Sequence, residues 1–99
     1  MIKAFTKMLE PGVIATLATP DSGKDLDIKT ITINGGENGG NYTLLIGDYK
    51  EKYSIDAEDT VVNDHGVFLT EGQTLQAVSE EGGIGFYLSG VDSKTNEDL

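Results

Sequence analysis

The chain has 99 residues, of which 37% are hydrophobic, a content typical of one folded domain rather than of a disordered chain. Its net charge of −10 disfavours binding to nucleic-acid phosphates or to an anionic membrane surface. The absence of cysteine excludes disulfides, thiolate catalysis and cysteine-ligated metals, and 13 glycines beside 2 prolines indicate the many tight turns of an all-β domain.

Residues 1–11 are predicted to form an N-terminal arm or an edge strand that ends at Pro11-Gly12. An arm could add a strand to a neighbouring subunit, whereas an edge strand would pair within its own domain; a single helical turn also stays open. Lys7 and Glu10 interrupt the apolar residues, so the segment lacks the continuous core of a signal peptide. We therefore expect a protein made in the cytoplasm and not exported by that route.

Two strands are predicted next, at 13–19 (VIATLAT) and 24–34 (KDLDIKTITIN), joined by the turn PDSG. The apolar alternation of the second strand changes phase at Lys29-Thr30, where a β-bulge would restore one buried face. A strand buried on both faces is the alternative. With the bulge, the inward side chains are those of Leu26, Ile28, Ile31 and Ile33.

The middle of the chain alternates between loop and strand patterns. The glycine-rich segment 35–41 predicts a flexible loop, and YTLLIGD (42–48) predicts a strand. Residues 49–60 are charged and are expected to form an irregular connection. The strand at 42–48 would place on one face Tyr42, Leu44 and Ile46.

Two short strands are predicted at 60–64 and 66–72, and the segment 72–91 predicts a hairpin with two glutamates and two glycines at its tip. In this hairpin Leu75 and Ala77 would be paired against Ile84, Phe86 and Leu88. Together the segments predict a single antiparallel β-sandwich over residues 12–92, of jelly-roll or Ig-like type, with seven to nine short strands. A polar tail over 93–99 would project from it.

No segment carries a recognisable catalytic or metal motif, so we expect no enzyme activity and no cofactor. His65 lies in a turn and is interpreted as an exposed loop residue. DAED (56–59) and the pair Glu80-Glu81 could bind Ca²⁺, but their spacing does not match an EF-hand loop, and solvated charges are the preferred interpretation. Tyr49 and Tyr53 lie in the charged segment and are candidates for contact with a partner.

The order of these segments resembles small β-sandwich structural proteins of tailed bacteriophages, of the head decoration, head-fibre or tail accessory type. The family pattern is a strand K-x-x-x-I-K-S-I-x-I-x-N, a turn and an alternating strand, then L-x-x-G-x-T-L-x-A, a turn and a strand that ends S-G-V. Thr30 stands where the family often has serine, and residues 49–60 are more charged than the family's usual connection. The matching residues are Lys24, Ile28, Lys29, Ile31, Ile33, Asn34, Leu69, Gly72, Thr74, Leu75, Ala77, Ser89, Gly90 and Val91.

The resemblance implies a non-enzymatic virion component, most specifically a capsid decoration protein that binds the major capsid protein or other virion proteins. It also implies a homo-oligomer, with a trimer favoured, and no nucleic-acid or membrane partner. A receptor- or carbohydrate-binding module of a phage tail or fibre is the alternative, which would use Tyr49, Tyr53 and the loop 35–41; a small hydrolase that uses the acidic loops is a third. The expected interface residues are Ile2, Phe5, Met8, Leu9, Tyr49 and Tyr53.

Overall fold

A computed structural model describes residues 1–94 as nine β-strands, with no helix in that range. No helix that could span a membrane is therefore found in the described part of the chain. The strands are β1 (Ile2–Met8), β2 (Ala15–Ala18), β3 (Lys24–Asn34), β4 (Gly40–Ile46), β5 (Tyr49–Ile55), β6 (Thr60–Asn63), β7 (Val67–Leu69), β8 (Leu75–Val78) and β9 (Gly85–Lys94).

The strands form two antiparallel sheets. The first has the order β1-β9-β3-β6, and β7 pairs with the same edge of β3 as β6 does, nearer the start of β3. The second has the order β2-β8-β4-β5. Buried apolar side chains of both sheets form one core between them, and this confirms the predicted all-β antiparallel sandwich.

The predicted bulge in β3 is confirmed. The pairing of β3 with β9 shifts register between Ile28 and Thr30, so that Lys29 is the extra, exposed residue. Gly90 lies opposite this bulge, where a Cβ atom would collide with the carbonyl oxygen of Asp27. All four predicted inward side chains are at most 2% exposed: Leu26, Ile28, Ile31 and Ile33.

The expectation of an irregular connection over 49–60 is wrong, because Tyr49–Ile55 forms the edge strand β5. A two-residue turn, Gly47-Asp48, joins β4 to β5, and the positive φ of Gly47 (58°) suits the first central position of a type II′ hairpin turn. The charges obscured the strand because an edge strand needs to bury little of its surface.

The predicted hairpin over 72–91 is also wrong. β8 pairs with β2 and β4 in the second sheet, whereas β9 pairs with β1 and β3 in the first. The segment between them crosses from one sheet to the other and is held by residues after β1: Gly83 donates to the Leu9 carbonyl and Leu9 donates to that of Ile84, both at 2.9 Å. Two strands with inward apolar residues can face each other across a core as well as pair side by side.

Residues 35–41 differ from the predicted flexible loop, because they form a hydrogen-bonded turn and the start of β4. The amide of Gly39 donates to the Gly35 carbonyl at 2.9 Å, and Gly35 donates to the Asp59 carbonyl at 3.0 Å. The predicted strand at 13–19 is shorter than expected, since Val13 and Ile14 precede β2 and are 50% and 57% exposed.

Residues 2–8 form the edge strand β1, which pairs with β9 of the same chain along its whole length. Of the alternatives for this segment, the structure of the single chain therefore shows the edge strand. Ser93 and Lys94, assigned to the polar tail, belong to β9. The rest of that predicted tail, 95–99, lies outside the described residues.

Candidate interaction surfaces

The outer side of the five-stranded sheet has no covering layer within residues 1–94, and we call it the open face. Strand alternation and register place its side chains in rows across the strands. The open face consists of Ile2, Ala4, Thr6 and Met8 of β1; Gly85, Tyr87, Ser89, Val91 and Ser93 of β9; Asp25, Asp27, Lys29, Thr30, Thr32 and Asn34 of β3; Thr60 and Val62 of β6; and Phe68 of β7.

Exposed apolar side chains are concentrated on the open face. Six of the eleven large apolar residues that are exposed within 1–94 lie there. Such a concentration marks a surface for association, whereas single scattered apolar side chains do not. The six are Ile2, Met8, Val62, Phe68, Tyr87 and Val91.

The open face carries little of the charge of the molecule. Its charged residues are Asp25, Asp27 and Lys29, which sum to −1, while the chain as a whole carries −10. Lys29 Nζ lies 2.6 Å from the carboxylate of Asp27, so the bulge places an ion pair on this surface. The remaining acidic residues of the described part therefore lie on other surfaces, and the open face is close to neutral.

A shallow depression of about 630 Å³ interrupts the open face at Gly85. It exists because Gly85 has no side chain between Met8 on one side and Asn34 on the other. A Cβ atom at this position would lie 3.6 Å from Met8 Cε, an ordinary contact distance. Tyr87, 49% exposed, stands at the border of the depression.

A second candidate surface lies on β5, where strand alternation brings Tyr49, Glu51 and Tyr53 to one side. We call these three residues the tyrosine edge. Hydrogen bonding to Glu51 and the charge of its carboxylate raise the pKa of Tyr49. Burial, followed by the hydrogen bond to Glu51, raises the pKa of Tyr53. The carboxylate of Glu51 therefore acts on both phenols at an exposed strand edge.

The tyrosine edge is continuous with the core through a chain of rings. Tyr53 stacks on Tyr42 with ring centroids 5.4 Å apart and planes at 21°. Tyr42 in turn meets Phe86 edge to face, also at 5.4 Å. This support holds Tyr53 in place, while Tyr49, 60% exposed, remains free to contact a partner.

No known protein family, curated protein or solved structure matches this chain. The resemblance to phage structural proteins therefore stays a prediction.

The structure separates the six expected interface residues. Ile2 and Met8 are 81% and 61% exposed and lie on the open face. Phe5 has the opposite parity on β1 and packs against the core, and Leu9 is 2% exposed, so neither of them lies on the open face. Odd-numbered residues of β1 face inward, so an apolar residue of that parity contributes to the core of its own chain. Tyr49 and Tyr53 lie together on β5, which is an edge strand of the second sheet, whereas β1 is an edge strand of the first.

The expected interface residues leave out most of the open face, namely Tyr87 and Val91 of β9, Val62 of β6 and Phe68 of β7. A signal was present in GIGFYLSGV, where both parities carry apolar residues although only one can face the core of a two-layer sandwich. Glu51 was also missed, because residues 49–60 were not interpreted as a strand.

The other candidate positions are His65 and the acidic residues at 56–59 and 80–81. His65 is exposed, and its backbone amide donates to Asn63 Oδ1 at 3.0 Å within a turn. Within residues 1–94, no group of three His, Asp or Glu side chains is placed to hold a metal ion. The acidic segments considered for Ca²⁺ therefore do not converge on one site in the described part of the chain.

One buried charge joins the start of β1 to the end of β9. The carboxylate of Asp92 is almost completely buried, with the amino group of Met1 3.2 Å from Oδ1. Lys24 and Lys3 place their Nζ atoms 3.6 and 3.9 Å from Oδ2. Burial raises the pKa of Asp92, but the hydrogen bond from the amino group and the surrounding positive charges outweigh burial and hold that pKa below its usual value.

Proposed function

We propose that the protein is a non-enzymatic structural component of a tailed-phage virion, most specifically a capsid decoration protein. The observation that carries this proposal is the open face: an ordered, almost neutral sheet surface with six exposed apolar side chains on an otherwise acidic molecule. Burying such a surface removes apolar area from water, and the acidic remainder keeps the unbound protein soluble.

The resemblance of residues 12–92 to phage β-sandwich proteins supports the same function. A decoration protein attaches in many copies to a shell under internal pressure, and each copy adds buried area. An interface of about 1,000 to 2,000 Å² per copy is enough for specific attachment, and repetition multiplies its effect. The protein would thus be made in the host cytoplasm and reside on the virion, with the major capsid protein or another virion protein as its partner.

The direct test is to mix the purified protein with expanded empty capsids of the phage that encodes it. We expect the protein to sediment with the capsids, to saturate at a fixed number of copies per shell, and to raise the temperature at which the shells come apart. Absence of binding at saturating concentrations, with the protein shown to be folded, would contradict the proposal.

The tyrosine edge favours a second candidate function, a receptor- or carbohydrate-binding module of a phage tail or fibre. Exposed aromatic rings stack on sugars, and a carboxylate such as Glu51 accepts hydrogen bonds from sugar hydroxyls. A glycan array probed with the isolated protein tests this function. Specific binding that is lost in Tyr49→Ala but kept in Lys50→Ala, whose side chain lies on the other side of β5, would favour it over capsid decoration.

A further inference from the structure

We propose that the open face binds a second copy of this chain around a two-fold axis, with Tyr87 of each copy seated in the depression at Gly85 of the other. The inference concerns the free protein: the face that the proposed function uses to attach to a shell binds a second copy in solution, and attachment to the shell would replace that copy. It departs from the trimer that the resemblance implies.

The shape of the open face is the first observation that supports a two-fold contact. A protruding ring and a depression lie side by side on β9, since Tyr87 and Gly85 are two residues apart, which is about 6.6 Å along a strand. A two-fold axis that runs parallel to the sheet and perpendicular to β9, above the midpoint between the two residues, brings the second copy face to face and places each ring over the depression of the partner. Such a contact is self-complementary, as an isologous interface must be.

The low charge of the open face is the second observation that supports a contact between two copies. A second copy also carries −10, so most orientations of two copies bring like charges together. The open face avoids this repulsion because it carries −1 and because Asp27 is paired with Lys29 of the same chain. A strongly basic partner would be attracted to the acidic surfaces instead, so the neutral face suits a copy of the chain itself.

The area of the open face determines how strong the dimer is expected to be. The open face is four strand positions wide and seven residues long on β1, or about 19 by 23 Å. Two copies would thus bury roughly 900 Å² in projection, and more over the protruding side chains, which is the size of a weak, transient interface rather than of a standard one. We therefore expect a reversible dimer whose mass depends on protein concentration.

The test is the mass of the protein in solution, by sedimentation equilibrium over about 1 μM to 1 mM. The wild-type mass should rise with concentration from 10.6 kDa towards twice that value. Tyr87→Glu replaces the ring with a charge, and Gly85→Gln fills the depression without meeting the backbone, since Met8 Cε is the nearest atom. Each variant should weaken association at least about tenfold.

Ile14→Glu is the matched control, because it adds the same charge at an apolar position that is 57% exposed but lies outside the open face. It should associate as the wild type does. Circular dichroism and thermal unfolding establish that each variant is folded. If Tyr87→Glu does not fold, Gly85→Gln still tests the contact.

A wild-type monomer at all concentrations, a trimer, or a dimer that both variants leave intact would overturn the inference. Capsid binding, measured separately, distinguishes it from the proposed function. A monomer that coats capsids would overturn the dimer and leave the decoration function standing. A dimer that does not bind capsids would support the inference and contradict the decoration function.

Discussion

Asp92 shows how far a single residue could be understood from the sequence. Its position follows from alternation in β9, where Leu88, Gly90 and Asp92 share the inward parity. Its partners could not be predicted, since Met1, Lys3 and Lys24 are distant in the sequence and meet it only because β9 lies between β1 and β3. A buried carboxylate that is surrounded by cations is stable as an ion, and losing that charge leaves the cations without their partner.

We expect Asp92→Asn to lower Tm by several degrees at pH 7 and to have a smaller effect at pH 3 than at pH 7. The pKa of Asp92 is lower in the folded than in the unfolded protein, so its ionisation stabilises the fold above the unfolded value. This stabilisation is lost as the pH falls below about 3.9 and through the folded pKa. Thermal unfolding of both proteins across this range measures the difference.

Asp64→Asn, at an exposed turn position, is the control for a lost negative charge. Its Tm should stay close to that of the wild type at both pH values. An equal loss of Tm at pH 7 and pH 3 for Asp92→Asn would mean that the carboxylate acts through its shape and not through its charge.

Among the elements, the sequence predicted the bulge in β3 correctly and the partner of β8 incorrectly. The bulge could be read because four apolar residues change parity around the charged Lys29, which is local information. The pairing of β8 with β2 and β4 could not be read, because alternation specifies which side of a strand is buried and not which strand lies beside it. The open face was missed for a related reason, as its rows combine residues from β1, β9, β3, β6 and β7.

We expect Gly90→Ala to destabilise the fold by about 2 kcal/mol, because the added Cβ would force the backbones of β9 and β3 apart at the bulge. Urea unfolding measures the free energy. Gly85→Ala is the matched control on the same strand, since its Cβ would make an ordinary contact with Met8, and it should change stability by less than about 0.5 kcal/mol. Equal effects of the two substitutions would contradict the role assigned to the bulge.

Across the whole molecule, charge and apolar surface are segregated. The chain carries −10, yet the open face contributes only −1, so repulsion between two copies arises mainly from surfaces outside the contact. Such long-range repulsion between exposed charges is screened by salt, whereas apolar contact is not weakened by it. The balance between the two determines how the protein behaves in solution at high concentration.

We expect salt to strengthen the dimer. Raising NaCl from about 0.05 to 0.5 M should lower the dissociation constant of the wild type by about threefold to tenfold, as the Debye length falls. Sedimentation equilibrium at the two salt concentrations measures this change, and Tyr87→Glu should remain monomeric at both. Weaker association at high salt would indicate ion pairs across the interface and would contradict a contact through a neutral face.

The central place of β9 has a consequence for synthesis. The chain leaves the ribosome from its N-terminus, so β1 and β3 emerge early, yet within their sheet β1 pairs with β9 alone and β3 has β9 along its full length. Until β9 is made, β1 has no partner strand in its sheet and β3 lacks the partner along one of its edges, and β9 begins 51 residues after β3 ends (residue 85 against residue 34). Folding that depends on such distant partners is slow and leaves nascent edges open to other chains. The domain completes its core only when residues 85–94 have left the ribosomal exit tunnel. A polypeptide that stalled before them would expose the apolar residues and unpaired edges of β1 and β3, to which chaperones bind.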